Sequence, residues 1–147
     1  MVSIGVHPSH EHDFFAHVGL REAGAGVRPL AIEQRPREIK LTLDSDAWLK
    51  GVENELHSIV SNLLSNAVKY TPRGGTVSLW AGRDGTQAVI RVKDNGDGIP
   101  PEMLDSVFEL FVQARHTLDH SEGGLGVGLT LVRALVEMHG GTVSARS

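Results

Sequence analysis

The sequence predicts an α/β fold of two layers, a mixed β-sheet with helices on one face, and three observations carry that expectation. Apolar residues at positions 52, 56, 59, 60, 63, 64, 67 and 68 follow the 3.6-residue rhythm of an amphipathic helix spanning 52–70. The β-rich runs TVSLW (76–80) and QAVIRVKD (87–94) flank a short Gly/Asp turn and read as a hairpin. A second apolar helix, Leu129 to Met138, follows a glycine-rich run and is capped by His139-Gly140-Gly141.

The remaining elements follow in order. Residues 1–36 mix His, Gly and short apolar stretches without a sustained period, and form a segment apart from the domain expected over 37–147. One short helix is expected there, around Asp13–Glu22. In REIKLTLD (37–44), Ile39, Leu41 and Leu43 alternate onto one face, as in a half-buried strand. Thr71-Pro72-Arg73-Gly74-Gly75 stops the first helix, because proline cannot continue it. DNGDGIPPE (94–102) is a glycine turn leading into a proline-initiated helical stretch, expected over 101–107. VQARHTLDHSE (112–122) is polar and aperiodic, a loop by composition. TVSAR (142–146) begins a final strand.

Composition narrows the functional classes. At 147 residues, 40% hydrophobic and 22% charged, the chain suits one globular domain. No apolar run approaches the roughly 18–20 residues needed to span a bilayer, so no membrane contact by this segment is expected. Zero cysteines exclude disulfides and thiol catalysis and fit a reducing compartment, with a cytoplasmic location expected. A net charge of −4 argues against a dedicated nucleic-acid binder.

Three clusters carry chemistry. Asn62, Asn66 and Lys69 are spaced i, i+4, i+7 and share one helix edge beside the apolar stripe. An Asn carbonyl can ligate Mg²⁺ and a lysine can meet phosphate, although a solvated helix face satisfies the same spacing. Period 2 in QAVIRVKD places Asp94 on the inward face after Ala88, Ile90 and Val92. There it needs a donor, either a purine exocyclic amine or the backbone of its own D-x-G turn. Gly96 and Gly98 follow, and Gly123, Gly124, Gly126 and Gly128 cluster at a helix N-terminus, where backbone N–H groups suit an anion. The Walker pattern is absent, and no strand feeds the glycine run as a dinucleotide fold requires.

The order of these elements resembles the ATP-binding domain of bacterial sensor histidine kinases, in the superfamily that also holds gyrase, heat-shock chaperone and MutL ATPases. NLLSNAVKYT (62–71) looks like the N box, DNGDGIP (94–100) the first glycine box, FELF (108–111) the F box, and EGGLGVGLTLV (122–132) the second glycine box. The resemblance implies a Bergerat-type α/β sandwich that binds ATP with Mg²⁺. Asn66 would ligate the metal, Asn62 would stand in the reaction centre, Lys69 would contact phosphate and Tyr70 would lie against the nucleotide. Asp94 would accept from the adenine amine, with Gly96, Gly98 and Ile99 shaping the base pocket. Gly124, Gly126, Gly128 and Leu129 would line the phosphates beneath a lid at 112–122, anchored by Phe108 and Phe111. The reaction implied is phosphoryl transfer to a histidine on a separate dimerisation domain, feeding a response regulator.

Position 62 separates branches of the superfamily. Hydrolysing members place a Glu four residues before the metal-binding Asn, where it activates water; Asn62 cannot take a proton. A serine-directed anti-sigma-type kinase typically keeps that Glu, so Asn62 disfavours it. A module that binds nucleotide or partner without turnover is the other alternative. Ser9-His10-Glu11 looks like the start of the family's acceptor motif, but His12-Asp13-Phe14-Phe15 follows and no Arg-Thr-Pro appears. His10-x-His12-Asp13 lacks the further ligands of a metal hydrolase. Family members follow the TVSAR strand with one more; here the chain lacks it, as a fragment would. The edge of TVSAR is therefore expected to be covered by residues 1–36 or by a second copy in a homodimer.

Overall fold

The computed structural model describes residues 1–6, 16–19, 38–43, 48–110 and 126–147. In chain order these form β1 (Val2–Val6), β2 (Ala16–Gly19), β3 (Glu38–Leu43), β4 (Trp48–Gly51), α1 (Glu53–Tyr70), β5 (Thr76–Asp84) and β6 (Gln87–Asp94). A 3-10 turn at Pro101–Met103, α2 (Gly128–Met138) and β7 (Gly141–Ala145) complete them. One sheet has the order β3-β5-β6-β1-β7, and β2 pairs with β4 separately. β3 runs parallel to β5 while the other neighbours run antiparallel, so the sheet is mixed.

The period read from the sequence is the period that is buried. α1 buries Leu56, Ile59, Val60, Leu63, Leu64, Ala67 and Val68. Glu53 and Glu55 in its first turn and Lys69 in its last complement the helix dipole. Thr71 ends it in an extended conformation, as the residue before a proline favours, and its buried hydroxyl donates to the Ala67 carbonyl at 2.6 Å.

The inward face of the sheet carries Val77, Leu79 and Ala81 of β5, Ile90 and Val92 of β6, and Ile4 of β1. These meet α1, Val132 and Val136 in one core. Ile4, only 1% exposed, faces Ile90 on one side and Val143 on the other. Burying such a side chain contributes about 1.5–3 kcal/mol, so β1 is anchored by packing as well as by its ladder. The outward face carries Val89 and Trp80 among polar residues; the Trp80 ring lies 4.8 Å from the Arg91 guanidinium, itself 2.7 Å from Asp84.

Several expectations need correcting. The helix expected near Asp13–Glu22 is a strand over its described part, Ala16–Gly19, because pairing with Trp48–Gly51 overrides weak local preference. The helix expected over 101–107 is a single 3-10 turn followed by further turns, with bonds such as Leu104 N–H to the Pro101 carbonyl. Leu41 alternates inward as expected but remains 58% exposed, since β3 is an edge strand. The edge of β7, by contrast, is covered as the first of the two expected outcomes had it: Val2–Val6, from residues 1–36, pair with Gly141–Ala145 residue for residue.

Candidate functional site

The site forms where the C-terminal half of α1, the turn after β6 and the start of α2 converge. Asn62 commits its Nδ2 to the Ser58 carbonyl one turn back, at 2.8 Å, which aims Oδ1 away from its own helix. That oxygen faces Gly128, the first residue of α2: a Cβ there would come within 3.0 Å of Asn62 Oδ1 and 3.7 Å of Asn66 Nδ2. Both amides are half-buried rather than solvated. The space before them exists because residue 128 has no side chain.

α2 presents a bare N-terminus to this space. Val127 makes no side-chain capping bond and the first turn has no acidic residue. Its first N–H groups therefore suit an anion held between them and the two Asn side chains. Lys69, three residues beyond Asn66 on α1, has its ammonium 5.0 Å from the centre of the Tyr70 ring.

The turn after β6 docks on the end of α1. Asp94 stands opposite Val77 on the inward face, as the period-2 reading requires, and its Oδ1 accepts the Gly96 N–H at 3.0 Å. Both partners foreseen for this carboxylate are compatible, because one oxygen serves the turn and the other can face a ligand amine. Asp97 N–H donates to the Tyr70 carbonyl at 3.2 Å, and a Cβ on Gly96 would collide with that carbonyl oxygen. Gly98 and Gly126 have φ of +75° and +69°, a region that glycine enters freely. Ile99 is half-buried, its N–H bonded to Ser147 Oγ at 2.8 Å.

The structure thus brings together Asn62, Asn66 and Gly128, and separately Tyr70, Asp94 and Gly96. Phe108 is 7% exposed and Leu129 packs against the core. Phe111, Gly124, the 112–122 segment and the His10–Asp13 cluster lie outside the described residues. Among the described residues, no group of three or more His, Asp or Glu could hold a metal ion. Arg133, on the exposed side of α2, has its pKa raised by its hydrogen bond to Glu137.

Sequence reasoning missed one supporting residue. Asn95 Oδ1 accepts the Thr76 N–H at 2.7 Å and ties the turn to the start of β5. Thr71, which the sequence placed at the stop of α1, closes that helix through its hydroxyl.

A two-layer sandwich with a polar helix edge, a carboxylate ending a central strand and an uncapped glycine-opened helix defines an ATP-binding domain of the kinase and chaperone type. The chain belongs to the histidine kinase-, DNA gyrase B- and HSP90-like ATPase family, whose model matches residues 51–147. It is 44% identical over 168 aligned positions to the circadian input-output histidine kinase CikA of Synechococcus elongatus, covering 97% of this chain and 22% of that protein. It is 38% identical over 93 residues to the alginate biosynthesis sensor protein KinB of Pseudomonas aeruginosa, covering 63% of this chain and 15% of that one. Among solved structures, the mycobacterial sensor histidine kinase MprB superposes with a TM-score of 0.70 at 29% identity, over 86% of this chain and 80% of that chain. Full-length ShkA in complex with AMPPNP superposes with a TM-score of 0.64 at 27% identity, over 89% of this chain and 27% of that chain. The chain therefore spans less than a quarter of either curated relative and carries the ATP-binding catalytic domain of the sensor histidine kinase type. No helix among the described residues is long and apolar enough to cross a membrane.

Proposed function

We propose that this chain binds Mg·ATP and presents its γ-phosphate to a histidine carried on a separate dimerisation domain, in a pathway that ends on a response regulator. The single observation carrying this reading is the convergence of Asn62 and Asn66 on Gly128 at the uncapped start of α2. Asp94 stands one helix end away, at Tyr70, as a reader of the base. We assign the catalytic domain to residues 37–147, with Val2–Val6 contributing a strand to its sheet, and its work to the cytoplasm, where ATP is available.

The residues fit the metal in kind: Asn66 supplies a neutral oxygen and the phosphates the charged ones, as Mg²⁺ prefers. Bound there, Mg²⁺ would neutralise phosphate charge. The chain's own contribution is positioning and charge complementarity, from Asn62, the first N–H groups of α2, and Lys69. Asn62 offers no base for water, so the γ-phosphate waits for a stronger nucleophile. An imidazole nitrogen forms the P–N bond as the bond to the β–γ bridging oxygen breaks and ADP leaves.

ATP titration with and without Mg²⁺, followed by addition of a histidine-bearing dimerisation domain from a close relative, tests this. Mg²⁺-dependent binding and an acid-labile phosphate on the added domain are expected. Binding without transfer would favour a non-catalytic nucleotide module, and an acid-stable phosphoserine would favour the serine-directed branch.

A further inference from the structure

Among the described residues, His139 is a buried ionisable group that the site does not use. Its side chain is 1% exposed, at the end of α2 farthest from Gly128. Its ring folds back under the last turn, with Nδ1 2.8 Å from the Leu135 carbonyl, and the Val52 N–H donates to Nε2 at 3.3 Å. A carbonyl only accepts and an amide only donates, so the proton lies on Nδ1 and Nε2 offers its lone pair. Glu55 Oε2, 3.7 Å from Nε2, is beyond hydrogen-bond reach. Gly51 is buried against the ring; a Cβ there would lie 2.7 Å from Nε2.

These contacts join the end of α2 to the residue before α1. The two helices run antiparallel, so their other ends bring Gly128 onto Asn62 and Asn66. Between the two ends, Val132 and Val136 are fully buried against the core. Apolar contacts of that kind are non-directional and do not by themselves fix how far one helix slides along the other. A hydrogen bond of defined length and angle does.

We infer that His139 is a positioning residue for the nucleotide site, setting the slide of α2 along α1 so that the first N–H groups of α2 meet the phosphates opposite Asn62 and Asn66. The inference rests on the ATP-binding reading above. It concerns the phosphate end of the nucleotide alone, because, among the described residues, the backbone bonds of the turn after Asp94 go to Tyr70 and Thr76 rather than to α2.

Two substitutions divide the ring's bonds. The amide of Asn reaches where Nδ1 is, and that of Gln where Nε2 is. His139→Asn keeps the contact to Leu135 and loses Val52; His139→Gln keeps an acceptor for Val52. Adenosine and Mg·ATP affinities are measured on the full chain by calorimetry, with thermal melting alongside. His139→Asn should weaken Mg·ATP about tenfold, as small misplacements at a reaction centre do. Adenosine should move less than about twofold, the usual limit for independent sites. His139→Gln should restore Mg·ATP binding, and Gly51→Ala, which crowds Nε2 while residue 139 stays histidine, should reproduce the Asn result. Equal losses for adenosine and Mg·ATP, or wild-type Mg·ATP binding by both His139→Asn and Gly51→Ala, would overturn the inference. No ATP binding by the unmutated chain would overturn the underlying reading as well.

Discussion

The carbonyl oxygen of Tyr70 fills the space that a side chain at Gly96 would need, and it accepts the N–H of Asp97. The last residue of the Asn-bearing helix is thereby in direct contact with the turn that follows Asp94. The turn proposed to shape the base pocket is thereby tied to the end of α1.

Gly96→Ala should therefore damage the site rather than the core. Forcing a methyl into a filled space typically costs about 1–3 kcal/mol. The turn must move off Tyr70, so ADP affinity should fall while the far-ultraviolet circular dichroism stays unchanged. Unaltered ADP binding in a folded variant would show that the turn does not form the base pocket.

Asp94 should make the site prefer ATP to GTP, which carries a carbonyl where adenine carries its amine. A hydrogen bond to a charged group contributes about 1.5–3 kcal/mol. Asp94→Asn retains an oxygen for the Gly96 N–H and should flatten the preference without unfolding the turn. Competition between the two nucleotides for the unmutated chain is the direct check, and equal affinities would sink the assignment.

Asn66→Ala or Asn66→Asp should weaken Mg²⁺-dependent ATP binding far more than metal-free ADP binding. Asn66 is half-buried and faces Gly128 rather than the core, so the fold should tolerate the change. Equal losses with and without Mg²⁺ would point to a folding defect.

Ile4→Ala should destabilise the chain by about 2–5 kcal/mol, the usual cost of emptying a buried aliphatic site. Ile4 lies between Ile90 and Val143, so amide exchange should accelerate in β7 and in β1 together. In the unmutated chain, amides at 142–146 that exchange at the rate of free peptide would show that β1 does not pair with β7.

Sequence and structure divide the molecule unevenly. Both main helices, the β5–β6 hairpin and the inward place of Asp94 were legible because each follows from a local period of 3.6 or 2. The apolar positions of α1 named from sequence are the ones it buries. The family was legible too, since the order of its motifs along the chain carries the resemblance. Tertiary structure decided the rest. Val2–Val6 is too short and too mixed to read as a strand, and its place between β6 and β7 is set by partners 82 to 143 residues away. Ala16–Gly19 became a strand through its pairing with Trp48–Gly51 for the same reason. Gly128 against Asn62, Gly96 against Tyr70 and His139 against Val52 are contacts between elements. No local period encodes them, because they arise only when the hydrophobic face of each element is buried and the polar edges are forced to meet.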